Sequence, residues 1–340
     1  MSTSSPLLAL TLGDIAGVGP EIVAKVLADS ETRELAHLAV FGPHRPLRHA
    51  IDQFTAGIPT ERVESAAELS AWDFRAAVPV VDDLSVRAPS CREVMGKVDA
   101  DAGRSSHAAV LAAIDACLAG HTDAMVTAPI HKAAWSQAGV KHPGHTEVLA
   151  ERTGTRRVLM MLACHQLKVI LATIHIRLAD VPRAITRERL ADVIEGTAES
   201  MPLFGADTPR LAIAGLNPHA GDGGLFGDEE ITVIGPAVEE ARARGIDISG
   251  PFPADTVFAR AKEGAFDAVI ALYHDQGLAA IKTLEFERTV NISLGLPIIR
   301  TSVDHGTAFD IAGQGIASPT SLREAIQWAT EMVENRRRRG

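Results

Sequence analysis

Short apolar runs alternate with longer segments of helical period along most of the chain. Leu7–Leu12, His37–Gly42, Val78–Asp82, Asp123–Ala128, Lys168–His175, Arg210–Leu216, Ala268–His274 and Thr289–Leu294 read as strands. Ala-rich stretches such as Ser105–Ala119 and Arg187–Glu199 read as helices between them, and a further helix starts at Pro20. This alternation predicts an α/β chain with a parallel sheet covered by helices. No internal repeat or low-complexity linker divides it. The last helical pattern begins at Ser321 and ends in Arg336–Arg339, where four cations favour the helix dipole and keep that end solvated.

Length and composition narrow the function. At 340 residues and 46% apolar, the chain has material for about two domains of roughly 100–200 residues, each with its own core. A net charge of −10 and only 4% aromatic residues leave little for a nucleic-acid partner, which needs clustered cations and stacking rings. No apolar run approaches the roughly 18 residues of a membrane span, so no membrane partner is expected. The first residues, Met1–Pro6, lack a basic segment followed by an apolar one, which predicts a cytoplasmic location. Cys91, Cys117 and Cys164 are too few and scattered for a disulfide framework or a cysteine zinc site and read as reduced thiols.

Three predicted strands share one design, an apolar run leading to a histidine: His175, His219 and His274. In open α/β sheets, ligands bind beyond the carboxyl ends of the strands. Three imidazoles meeting there would hold a divalent metal with positions left for substrate. Asp275 has two readings, orienting such a ligand or capping the helix that follows. A second set suits an anion. His145 and Thr146 stand at a predicted helix start in Pro143-Gly-His-Thr-Glu147, and Lys282, Asn291 and Arg300 lie around the strand at 290–294. With a metal, these residues would bind a small phosphorylated hydroxy acid. The glycines at 13, 17 and 19 do not match the dinucleotide fingerprint and read instead as a tight strand-to-helix turn with Asp14. The stretch from Val303 to Pro319 suits neither helix nor strand, and such a loop lets a ligand approach backbone closely.

At these residues the sequence resembles the 4-hydroxythreonine-4-phosphate dehydrogenase family of pyridoxal phosphate biosynthesis. The motifs are Gly13-Asp-Ile-Ala-Gly-Val-Gly-Pro-Glu21, Gly144-His-Thr-Glu147, Gly215-Leu-Asn-Pro-His-Ala-Gly-Asp-Gly-Gly224, Tyr273-His-Asp-Gln-Gly277 and the run from Leu294 to Ala308. Ile15 and Asp222 depart from the usual proline and glutamate, and Phe309-Asp310 is closer to the isocitrate-type loop.

The resemblance implies an isocitrate/isopropylmalate dehydrogenase-like fold: two α/β/α domains with a cleft between them, residues 1–133 plus 303–340 forming one and 134–302 the other. It implies His175, His219 and His274 as metal ligands and candidate catalytic residues, with Asp275 beside them, and zinc, cobalt or magnesium as the metal. It implies His145, Thr146, Lys282, Asn291 and Arg300 as substrate contacts, and His305, Gly306, Thr307 and Ala308 as part of an NAD or NADP site. A homodimer with its active site at the subunit interface is also implied. The expected reaction oxidises 4-phosphooxy-L-threonine to a 3-oxo acid that decarboxylates to 3-amino-2-oxopropyl phosphate. The alternatives are the same chemistry on D-threonate or D-erythronate 4-phosphate, and a metal-dependent hydrolase or acyltransferase that uses no nicotinamide.

Overall fold

The computed structural model describes residues 5–82 and 86–339. Twelve strands lie within them: β1 (Leu7–Thr11), β2 (His37–Phe41), β3 (Thr60–Val63), β4 (Val78–Val81), β5 (Ala124–Thr127), β6 (Leu159–Cys164), β7 (Leu167–Leu171), β8 (Leu211–Ala214), β9 (Ile248–Phe252), β10 (Ala268–Ala271), β11 (Val290–Leu294) and β12 (Ile299–Val303). The chain forms two compact units, residues 1–156 with 296–337 and residues 157–295 with 338–340.

In the first unit the strand order is β3-β4-β2-β1-β5-β12, every pair parallel. The central strands are buried on both faces, so they read as continuous apolar runs rather than alternating ones. The Ala100–Leu118 helix starts where Asp99 accepts the backbone N–H groups of Asp101 and Ala102. It crosses the Lys132–Gln137 helix so closely that a Cβ on Gly103 would stand 2.4 Å from the Ala134 carbonyl oxygen. Trp135, fully buried at that crossing, donates from its indole N–H to Ser106 Oγ at 2.8 Å.

The second unit orders its strands β11-β6-β7-β10-β8-β9. Here the expectation of a parallel sheet needs correction. β7, β10, β8 and β9 run parallel, whereas β11-β6 and β6-β7 are antiparallel. Only His165 and Gln166 separate β6 from β7, and so short a connection can join only antiparallel strands. The core is again aliphatic, from Val169 and Leu171 to Val269 and Ile281.

The contact boundaries fall at 156/157 and 295/296, the first later and the second earlier along the chain than 133/134 and 302/303. The His145–Thr153 helix contributes Val148 and Leu149 to the first unit's core, and β12 pairs with β5. The C-terminal arginines are also less free than expected. Arg337 pairs with the Asp123 carboxylate at 2.9 Å, and Arg336 donates to the Asp123 backbone oxygen. Among the described residues no helix is long and apolar enough to cross a membrane. Cys91 and Cys164 are buried and Cys117 half-buried, all free. Burial pushes the thiols of Cys91 and Cys117 up to about 11, which makes them poor nucleophiles.

Candidate active site

In the first unit β1, β5 and β12 are parallel neighbours, so their carboxyl ends lie side by side. The chain leaves them through Asp14, through His131 and Lys132, and through His305. Arg300 lies within β12, 4% exposed, and donates from Nη2 to Thr127 Oγ1 on β5 at 2.7 Å. Burial pulls its pKa down to about 9, which leaves the guanidinium charged at neutral pH.

His145 opens the His145–Thr153 helix, which has no side-chain cap on its free N–H groups. Its ring meets Trp135 edge-on at 5.7 Å, and its buried Nε2 has no hydrogen-bond partner. Burial, then the charges of Arg300 and Lys132, hold its pKa well below the usual imidazole value. A neutral imidazole with an unused nitrogen, an uncapped helix start and two cations together suit an oxyanion. Thr146 is half-buried in the same first turn. Lys132 escaped the sequence reading. The signal was present, because Ala128-Pro-Ile-His-Lys132 follows a strand just as the histidine segments do.

The loop at His305–Ala308 rests on the N-terminal glycine turn. Val18 N–H donates to the Thr307 carbonyl at 2.9 Å, and a Cβ on Gly17 would come within 2.6 Å of that same oxygen. His305 is exposed with Nδ1 2.9 Å from the Gly306 oxygen; Ala308 takes a positive φ of 43°. Phe309 stacks on His131 at 4.6 Å. Asp14 is fully buried in the turn beneath. Its Oδ1 accepts from Ala16 N–H at 2.9 Å, while Oδ2 has no hydrogen-bond partner. Burial above all raises its pKa to about 6; the Ala16 bond opposes the rise and the charge of Asp99 adds to it.

In the second unit β7, β10 and β8 lie in that order, parallel, and the three expected ligands follow their carboxyl ends. The strands stop earlier than expected, at Leu171, Ala271 and Ala214. His175 therefore lies in the exposed loop after β7, and His274 is the first residue of the His274–Glu285 helix. The rings of His175 and His274 are 5.6 Å apart between centroids. Two imidazoles sharing a tetrahedral ion at ordinary Zn–N lengths would have centroids about 5 Å apart. His219 occupies a different conformation, a turn in which residues 219–223 all have positive φ, and its ring lies 6.5 Å from Phe226.

Among the described residues no group of three histidine, cysteine or acidic side chains is placed to hold a metal. The His175–His274 spacing suits two imidazoles that share a divalent ion. Asp275 bonds His274 Nδ1 at 2.7 Å and makes no helix cap, because Tyr273 holds the cap position. Of the two readings given for Asp275, this contact favours orientation, leaving His274 Nε2 as the outward nitrogen. Lys282 lies on the same helix with its ammonium 5.4 Å from the Phe286 ring, and Asn291 lies on β11 opposite Leu162.

Comparison with known proteins places this arrangement in a family. Residues 34–329 match the family described as pyridoxal phosphate biosynthetic protein PdxA. A 4-hydroxythreonine-4-phosphate dehydrogenase of Geobacter metallireducens is 44% identical, over 98% of this chain and 97% of its own. A Symbiobacterium thermophilum protein provisionally named D-threonate 4-phosphate dehydrogenase is also 44% identical, over 95% of each. The crystal structure of the Klebsiella pneumoniae 4-hydroxythreonine-4-phosphate dehydrogenase superposes with a TM-score of 0.88 at 39% identity, over 98% of this chain and 99% of that one. With the α/β architecture, the strand-end histidines and near-complete coverage in agreement, the chain belongs to the PdxA family of pyridoxal phosphate biosynthetic proteins.

Proposed function

We propose that the chain oxidises 4-phosphooxy-L-threonine at its secondary hydroxyl, using NAD or NADP and a divalent metal, to a 3-oxo acid that loses carbon dioxide to give 3-amino-2-oxopropyl phosphate. The observation that carries this reading is the His145 site, where an unpartnered imidazole nitrogen and an uncapped helix start stand with Arg300 and Lys132. That set suits a phosphate or carboxylate. When bound, a divalent ion lowers the pKa of a coordinated hydroxyl and a nicotinamide accepts hydride. Arg300 and Lys132 bind and orient the anionic group, and neutral His145 hydrogen-bonds to it. His274, fixed by Asp275, presents Nε2 to the metal together with His175, and His219 provides the third imidazole. Lys282 and Asn291 are further substrate contacts, and His305, Gly306, Thr307 and Ala308 hold the dinucleotide.

The 44% identity to a chain named for D-threonate 4-phosphate makes that compound the second reading. The two acids differ at C2, amino against hydroxyl. A panel of 4-phosphooxy-L-threonine, D-threonate 4-phosphate and D-erythronate 4-phosphate, each with zinc, cobalt or magnesium and both cofactors, decides by kcat/KM from NADH or NADPH formation. The first compound is expected to give the highest value, and no turnover on it refutes the proposal. We also propose that the chain works as a homodimer with its active site at the subunit interface, in the cytoplasm.

A further inference from the structure

The motif Tyr273-His-Asp-Gln-Gly277 contains one side-chain amide, and the reaction above does not use it. The Gln276 amide lies where β10 ends and β8 ends. Its Oε1 accepts the backbone N–H of Leu272 at 2.7 Å, and its Nε2 donates to the Gly215 carbonyl at 2.7 Å. Leu272 and Gly215 are buried, so both backbone groups need protein partners. A donor on one side and an acceptor on the other fix which way the amide points, and no other side chain of that length satisfies both.

Two neighbouring bonds continue the chain of contacts. Thr173 Oγ1, two residues before His175, donates to the Leu272 carbonyl at 2.7 Å. On the other side, buried Glu230 takes the N–H groups of Leu216 and Asn217 on Oε1 at 2.7 and 2.8 Å, and the Asn217 amide on Oε2 at 3.0 Å. The three histidine-bearing segments are therefore tied through Leu272, and the tie to the His219 segment passes through Gln276.

We propose that Gln276 is a positioning residue that sets His219 relative to His274 through its bond to Gly215. This rests on the reading of these histidines as metal ligands, but the bond itself can be tested without metal. Histidine ring signals are recorded by ¹H–¹⁵N correlation on the metal-free full-length protein, with His219→Ala and His274→Ala spectra giving the assignments. Gln276→Leu loses both bonds. Gln276→Glu keeps an acceptor for Leu272 N–H and cannot donate to Gly215.

Both variants are expected to shift the His219 signals, although residue 219 is remote in sequence, and to keep the thermal midpoint within about 5 °C of wild type. Cobalt(II) affinity is expected to fall by about 10- to 100-fold, the scale for lost supports of metal ligands. In turnover, kcat should fall at least about tenfold while the substrate KM stays within about threefold. An unmoved His219 signal in both variants, or wild-type cobalt affinity and kcat, overturns the proposal. If Gln276→Leu fails to fold, Gln276→Glu carries the same test. A wild-type enzyme inactive on every four-carbon phosphate would refute the function proposed above, and the His219 shift would still decide the brace.

Discussion

Asp14, which is buried, and His145, half-buried with its Nε2 enclosed, are titratable groups whose pKa values move in opposite directions from their ordinary ranges. With its pKa raised from 3.8 to about 6, Asp14 takes up a proton on folding across that interval. Its stabilising contribution is complete below the unfolded value and is lost as pH rises through about 6. Asp14→Asn should therefore gain stability relative to wild type between pH 4.5 and 7.5, by about 2 kcal/mol in urea unfolding. An equal difference at the two pH values would contradict the burial argument. His145 behaves in the reverse sense. With its pKa depressed, it favours the fold above the ordinary imidazole value, and this contribution is lost as pH falls below about 6.5. Its NMR signals should not titrate between pH 8 and 6.5; a midpoint at or above 6.5 would exclude the neutral imidazole assigned here.

Two elements carry backbone geometry that can be tested by glycine. Residues 219–223 form a left-handed turn that includes the non-glycine residues His219, Ala220 and Asp222. Each such residue costs roughly 1–2 kcal/mol, and strain of this kind persists where surrounding structure holds it. Ala220→Gly relieves that cost at the price of about 0.5–1 kcal/mol in unfolded-chain entropy. The expected net is a gain of about 0.5–1 kcal/mol in denaturant unfolding, and a loss would show that the turn is unstrained at Ala220. The glycine turn before the Gly19–Ala28 helix is the opposite case. Gly17→Ala puts a methyl 2.6 Å from the Thr307 oxygen, so the His305–Ala308 loop must move. The expected outcome is a KM for NAD or NADP raised at least about tenfold with the substrate KM near wild type, following the cost of small misplacements of binding groups. An unchanged cofactor KM would separate the loop from the dinucleotide.

At the scale of the whole molecule, the proposed homodimer predicts sedimentation at twice the 36.0 kDa of one chain, and a monomer at micromolar concentration would refute it. Periodicity and apolar runs determined the α/β class and eight of the strands, because a strand buried on both faces must be apolar throughout. β12 was not legible: Ile-Arg-Thr-Ser-Val is fully buried yet mostly polar, and both Arg300 and Ser302 hydrogen-bond to Thr127 on β5. The strand-end placement of His175, His219 and His274 could be read from their segments, as could the family. The sequence could not say which imidazoles approach one another, since that depends on the order β7-β10-β8 and on the turn that turns His219 left-handed. Nor could it reveal that Lys132 and Arg300 act on His145, that the N-terminal glycines support Thr307, or that Gln276 ties two strand ends. Local pattern records which face of an element is apolar and where it stops. Contacts between residues far apart in the chain, and the desolvation that shifts a pKa, exist only once tertiary packing has brought those elements together.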